Sequence, residues 1–198
     1  MNDRKNKRII PPKDKNASRQ KTPMQLAKSA TTLSSCVDVL KQSLHIEVFA
    51  QKINKNLAQI NRFIKKCETI NDILLQKFSV NEISYKKFDN VLVGVEKVVY
   101  INLRSIINKI SAFDYEEYQQ LDSLEWNNDE LAKEKMDIYK TYIAFVDEAT
   151  RDNEEILLKL DRLLLEVTHY NNVQDGDIMN MPAIAELDKL IQNAKLYR

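Results

Sequence analysis

Between residues 46 and 78 the apolar side chains recur at alternating steps of four and three: Ile46, Ala50, Ile53, Leu57, Ile60, Ile64, Cys67, Asn71, Leu74 and Phe78. This spacing stays close to the helical repeat, so it predicts one continuous stripe along a helix, the seam of a heptad pattern kept for over four heptads. The alternation returns in Phe88, Leu92, Val95, Val99, Asn102, Ile106 and Ile110, with Phe113 three residues on. It returns again in Tyr139, Tyr142, Val146, Ala149, Asn153, Ile156, Leu160, Leu163, Val167 and Tyr170. At about 1.5 Å per residue these segments predict three helices roughly 45 to 60 Å long. Ser79 and Glu82 in "SVNE" have capping-box spacing, and so short a connection predicts an antiparallel return. The expected fold is all-α: an elongated antiparallel helical bundle or coiled coil.

The flanking segments carry less periodicity. Thr22 and Pro23 have the form of an N-cap and a first helical residue, predicting an N-terminal helix over about 23 to 44 in spite of the polar "SATTLSSC" within it. The stretch "FDYEEYQQLDSLEWNND" predicts a connection with a short helix capped by Asp114, and Asp129 opens the longest helix. Periodicity stops at Tyr170, where "NNVQDGDIMNMP" begins. Asn171, Asn172 and Gly176 suit backbone shapes that end helices, while Asn180 and Pro182 suit the start of a short terminal helix, 181–196. That helix either packs back on the bundle or is held out for a partner. Asp175 and Asp177 alone provide too few oxygen ligands for a divalent-ion site.

Composition narrows the picture. The 198 residues include two glycines and four prolines, too few for the many tight turns of a sheet protein. Residues 1–22 hold eight Lys/Arg and two Asp, +6, while the remainder is −5. We therefore read a disordered basic tail over 1–22 and a single helical-bundle domain over 23–198. No segment has the apolar run of a signal peptide or a membrane span, and Cys36 and Cys67 fit reduced thiols, so a cytoplasmic location is expected. The tail is suited to anionic lipid, nucleic acid or an acidic partner by charge alone, without interleaved aromatic residues for base stacking.

Each long seam contains one asparagine. If the two chain reversals lie at Phe78/Ser79 and between Phe113 and Asp129, then Asn71 and Asn153 fall at similar heights. This predicts a polar layer in which they meet and fix the register, unless either side chain turns sideways to water.

Candidate chemistry is sparse. Glu166 and His169 form one Glu-x-x-His pair, the helical spacing of di-iron bundles, but the other histidine, His45, lacks such a glutamate, so no metal or other cofactor is expected. Glu148, Asp152 and Glu155 share a face with Arg151 and Lys159 close by, which reads as solvated charge rather than an ion site. Cys67 falls on an apolar seam without a histidine to activate it. Gly94 and Gly176 are too far apart for a phosphate-cradling loop. Gly94 inside a helix implies close approach of a neighbouring backbone. Tyr115, Tyr118 and Trp126 either cap the open end of the bundle or form a partner patch. No catalytic residue is assigned.

"DNEEILLKLDRLLLEV" and "MPAIAELDKLIQNAKLYR" resemble the ending of an uncharacterised family of bacterial helical proteins found beside toxic-anion (tellurite) resistance TelA-like proteins and XpaC-like proteins. The matching positions are Asn153, Glu154, Asp161, Arg162, Ala183, Glu186, Leu187, Leu190, Ala194 and Tyr197, and "SYKKFDNVLVGVEKVVYINL" is similar to its middle helix, so the resemblance spans residues 80–198. It implies a context of envelope or toxic-anion stress, with a TelA-like protein among the partners, and carries no catalytic residues. The expected function is a non-enzymatic helical interaction or scaffold protein, with self-association as a further way to cover surplus apolar surface. One alternative is binding of the basic tail to an anionic membrane surface or nucleic acid. The other, implied only by the XpaC-like neighbours, is hydrolysis of phosphate esters, with His169 as the residue to test.

Overall fold

The computed structural model describes residues 32–123, 130–169 and 181–196. The described residues form six α-helices and no strand: α1 Leu33–Gln42, α2 Glu47–Lys77, α3 Ile83–Ser111, α4 Tyr115–Asp122, α5 Glu130–His169 and α6 Pro182–Leu196. The three long helices have 31, 29 and 40 residues, matching the three heptad segments. The all-α bundle read from the seams is the observed fold. The tail over 1–22, Thr22 and Pro23, Trp126, Asp129, and the loop 170–180 lie outside the described residues.

Local sequence explains the boundaries. Thr32 caps α1 through a capping box: its Oγ1 accepts from the Ser35 N–H at 3.2 Å, and Ser35 Oγ accepts from the Thr32 N–H at 2.8 Å. The polar Thr and Ser residues that weakened the periodicity are thus partly the cap itself. At "SVNE" only half of the expected box forms. Glu82 Oε1 accepts from the Ser79 N–H at 2.6 Å, but α3 starts at Ile83 with Glu82 as N-cap and no side-chain cap bond. Asp114 caps α4 as expected, accepting from the Glu117 N–H at 3.0 Å.

The buried stripe of α2 differs from the predicted seam in an instructive way. Ile46, Ile53, Ile60 and Leu74 are buried as expected, but between them lie Phe49, Asn56, Phe63 and Ile70 rather than Ala50, Leu57, Ile64 and Asn71. Both stripes obey three-four alternation, and they share every seventh residue. The bundle's main contact takes the stripe that holds the two phenylalanines, because an aromatic ring removes far more apolar area from water than alanine does. Ile64 is left 42% exposed.

α2, α3 and α5 run down, up and down around one core. α2 and α5 are therefore parallel, and cross-links from Lys52 to Asp147 (2.5 Å), Arg62 to Glu154 (2.8 Å) and Lys66 to Asp161 keep a nearly constant offset between them. α1 packs against both α2 and α3, while α6 packs against both α3 and α5. α3 is thus contacted on two flanks as well as its inner face, and Val91, Val98, Leu103 and Ile107 are buried in addition to its predicted seam. None of the described helices is long and apolar enough to cross a membrane.

Candidate functional site

The polar layer exists, with different membership. Asn153 is buried at the centre of the core, where its Nδ2 donates to Asn56 Oδ1 and its Oδ1 accepts from Asn102 Nδ2, both at 3.1 Å. Asn56 donates in turn to Thr150 Oγ1 at 2.8 Å, and Gln59 Nε2 donates to the Thr150 carbonyl at 3.0 Å and to Glu154 at 2.8 Å. Asn71 takes no part in this network: its Oδ1 accepts from the Tyr85 hydroxyl at 2.8 Å, on the α2/α3 flank. The expected pairing of Asn71 with Asn153 is therefore corrected to Asn56 with Asn153. The error came from height. The Phe113 ring, at the end of α3, lies 4.9 Å from Tyr139 and 4.8 Å from Phe49, so α5 reaches the top of the bundle only at Tyr139. Its first turns run beside α4. That displaces each later residue of α5 by roughly 15 Å from a descent counted at Asp129.

The residues weighed for chemistry have other engagements. The Glu166 carboxylate accepts from the Ala183 backbone N–H at 3.1 and 3.3 Å, so it caps the start of α6 from the neighbouring helix. His169 is exposed at the end of α5, and no group of three or more His, Cys, Asp or Glu with metal-ligand geometry occurs among the described residues. Glu148, Asp152 and Glu155 lie on the exposed face of α5, and partial desolvation at its surface, followed by the charges of Glu148 and Glu155, holds the Asp152 carboxyl above its ordinary range. Burial pushes the Cys36 thiol up to about 11. Burial, then the charges of Glu96 and Glu68, pushes Cys67 up to about 12. Both are free thiols held far from the thiolate a nucleophile needs.

The upper end of the bundle is closed by aromatic packing. Phe113 meets Phe49, Tyr118, Tyr139 and Tyr142 at centroid separations of 4.8 to 6.4 Å. Glu117 on α4 accepts from the Tyr139 hydroxyl at 2.5 Å and pairs with Lys135, which tie α4 to α5. Tyr118 is half-buried in this cluster, and Tyr115, also half-buried, donates its hydroxyl proton to Glu47 at 3.3 Å. Both tyrosines therefore cap the bundle end.

The lower end is organised by α6. Met181, Ala183, Ile184 and Leu187 are buried, and Glu186 joins α6 to α5 through Arg162 (2.9 Å) and Lys159 (3.1 Å). Those contacts, the Lys159 hydrogen bond first, hold the Glu186 carboxyl below its ordinary range. Of the two placements the sequence left open for the terminal helix, the structure shows the one packed back on the bundle. Gly94 faces it: a Cβ added there would stand 2.6 Å from Ile191 Cδ1. The close neighbour is a side chain of α6 rather than a backbone, which corrects the expectation from sequence. Beside this contact an open groove of about 410 Å³ runs between α3 and α6, lined by Val91, Val93, Gly94, Val98, Ile101 and Ile191 with Asn90, Lys97 and Asp188.

Sequence reasoning missed Asn56, Gln59 and Thr150, although Asn56 sits on the alternate heptad stripe and was legible there. Asn153, Glu154, Asp161, Arg162 and Glu186 all serve as ties between helices. Comparison of the chain with protein-family models, curated proteins and solved structures finds no match.

Proposed function

We propose that the chain is a non-enzymatic helical interaction protein that takes an amphipathic helix of a protein partner into the groove between α3 and α6. The supporting observation is the groove itself: apolar along Val91, Val98, Ile101 and Ile191, with Lys97 and Asp188 able to orient a partner's charges. Such a surface matches helix-in-groove recognition, in which spaced apolar anchors fill the groove and polar groups at its edge set direction. Glu166 and Glu186 are engaged in holding α6, and Cys36 is buried as a thiol. The resemblance over residues 80–198 makes a TelA-like protein the first partner to test and toxic-anion or envelope stress the setting, in a reducing cytoplasm that keeps Cys36 and Cys67 free. Affinity capture with the wild type and with Val93→Glu plus Lys97→Glu tests the reading. Val93 is 42% exposed, so these changes alter the groove's edge without disturbing the core. Retention of the same partner by the variant would exclude the groove.

The charge partition favours a second reading, in which the +6 tail brings the −5 body to an anionic surface. Removal of residues 1–22 then abolishes salt-dependent binding to anionic liposomes or DNA. Unchanged binding rejects it.

A further inference from the structure

α5 carries a second seam on the side away from the core. Glu148, Arg151, Glu155, Leu158, Arg162, Leu165 and His169 follow the same alternation of three and four residues as its buried stripe, and every one of them is exposed. This seam covers about 32 Å of helix. Leu158 and Leu165, one heptad apart, are 53% and 58% exposed, where a helix face turned only to water needs no leucine. The charges are also unpaired. No ion pair joins Glu148, Arg151, Glu155 or His169 to another described residue, and Arg162 engages Glu186 through Nη1 alone, which leaves Nη2 to donate elsewhere. Upstream of Leu158 the face is mainly acidic: Glu148 and Glu155, with Arg151 between them, crowd Asp152 enough to raise its carboxyl once partial desolvation has acted. Downstream it is basic, with Lys159, Arg162 and His169, because Asp161 is turned to Lys66 of α2 and Glu166 to Ala183 of α6.

We propose that this face of α5 pairs with the same face of a second copy of the chain, antiparallel, about a two-fold axis beside Leu158. A parallel alignment would set Glu148 against Glu148 and Arg162 against Arg162. In the antiparallel one, the acidic half of each copy lies over the basic half of the other. A single alignment then places Glu155 opposite the partner's Arg162, Glu148 opposite the partner's His169 and Arg151 opposite the partner's Glu166, and symmetry forms each pair twice. Leu158 meets the partner's Leu158 at the axis, so the leucines supply apolar burial while the charges set orientation. Three oppositely charged pairs at one alignment select a second copy as the occupant. This face is distinct from the α3/α6 groove, and the two proposals stand or fall separately.

Sedimentation equilibrium of the full-length protein reads the pairing directly. The wild type should show a reversible monomer–dimer equilibrium. Leu158→Glu plus Leu165→Glu should weaken it at least about a hundredfold while helical content and melting temperature are retained, since both side chains are exposed. Glu155→Arg, which sets like charges against the partner's Arg162, should weaken it at least about tenfold. A wild type that stays monomeric up to its solubility limit, or a leucine or charge variant that dimerises as well as the wild type, overturns the proposal. Cross-linking reads the alignment. Leu158→Cys should form an intermolecular disulfide under mild oxidation, whereas Ala144→Cys, whose counterpart in the dimer lies about 43 Å away along the helix, should not. The wild type, with Cys36 and Cys67 alone, is the blank. Cross-linking at 144 as readily as at 158, or at neither position, rejects the antiparallel pairing.

Discussion

Replacing Gly94 with alanine sets two effects of similar size against each other. In an isolated helix the change gains about 1 kcal/mol, since glycine is the poorer helix former. Here the new Cβ would lie 2.6 Å from Ile191 Cδ1 and 3.2 Å from its Cγ1. Ile191 is half-buried and borders the open groove, so it can turn aside, at about 0.5–1.5 kcal/mol for an unfavourable rotamer, with more if α6 must shift. Gly94→Ala alone should therefore be neutral or destabilising by up to about 1 kcal/mol. Ile191→Ala alone should cost about 1–2 kcal/mol, at the low end for a side chain that is only partly buried. With both changes the clash is gone, and the alanine at 94 should stabilise the Ile191→Ala protein by about 1 kcal/mol. The sign of the same substitution thus depends on one side chain across the interface, a coupling of about 1–2 kcal/mol. Urea unfolding of the four proteins, followed by circular dichroism, measures it. If Gly94→Ala stabilises equally with Ile191 present or absent, the tight contact between α3 and α6 is wrong.

Asn153→Leu should destabilise by about 2–3 kcal/mol in the same assay, because it strips buried Asn56 of its donor, whereas Asn71→Ala removes one half-buried bond and should cost about 1 kcal/mol or less. Glu166→Gln weakens the cap on α6 by about 1 kcal/mol, and amide hydrogen exchange should quicken in α6 while α2 keeps its protection; uniform protection would contradict the cap. Hydrogen bonds to Gln59 and Arg62 lower the Glu154 carboxyl, and Lys159 and Arg162 lower Glu186. Groups depressed in the folded state contribute stability above the ordinary carboxylate range and lose it as pH falls through their lowered values. The melting temperature should therefore drop on acidification from pH 5 to pH 3, and less steeply in Glu186→Gln. Asp152, raised by burial and by like charges, has the opposite sign and favours the folded state on acidification.

The long helices were legible because a heptad pattern over thirty residues has little other explanation, and Asp114 was legible as a cap for its local geometry. Choosing the buried stripe of α2 was not. Ala50–Leu57–Ile64–Asn71 and Phe49–Asn56–Phe63–Ile70 are equally periodic, and only the neighbouring helices determine which faces the main core. The polar layer was legible as a type of feature, since a seam asparagine needs a partner when buried, but its partner depended on a register set by the turns of α5 that run beside α4. Glu166 looked like half of a metal motif because sequence spacing does not show that a helix start, Ala183, lies within reach of its carboxylate.

The groove between α3 and α6 is proposed to bind a helical partner. Its most direct measurement is titration of the purified full-length protein with the helical segment of whatever partner the wild type captures, beside the Val93→Glu plus Lys97→Glu variant. Saturable binding by the wild type, with at least about tenfold weaker binding by an equally stable variant, is the predicted result. Equal affinity for both proteins would contradict it.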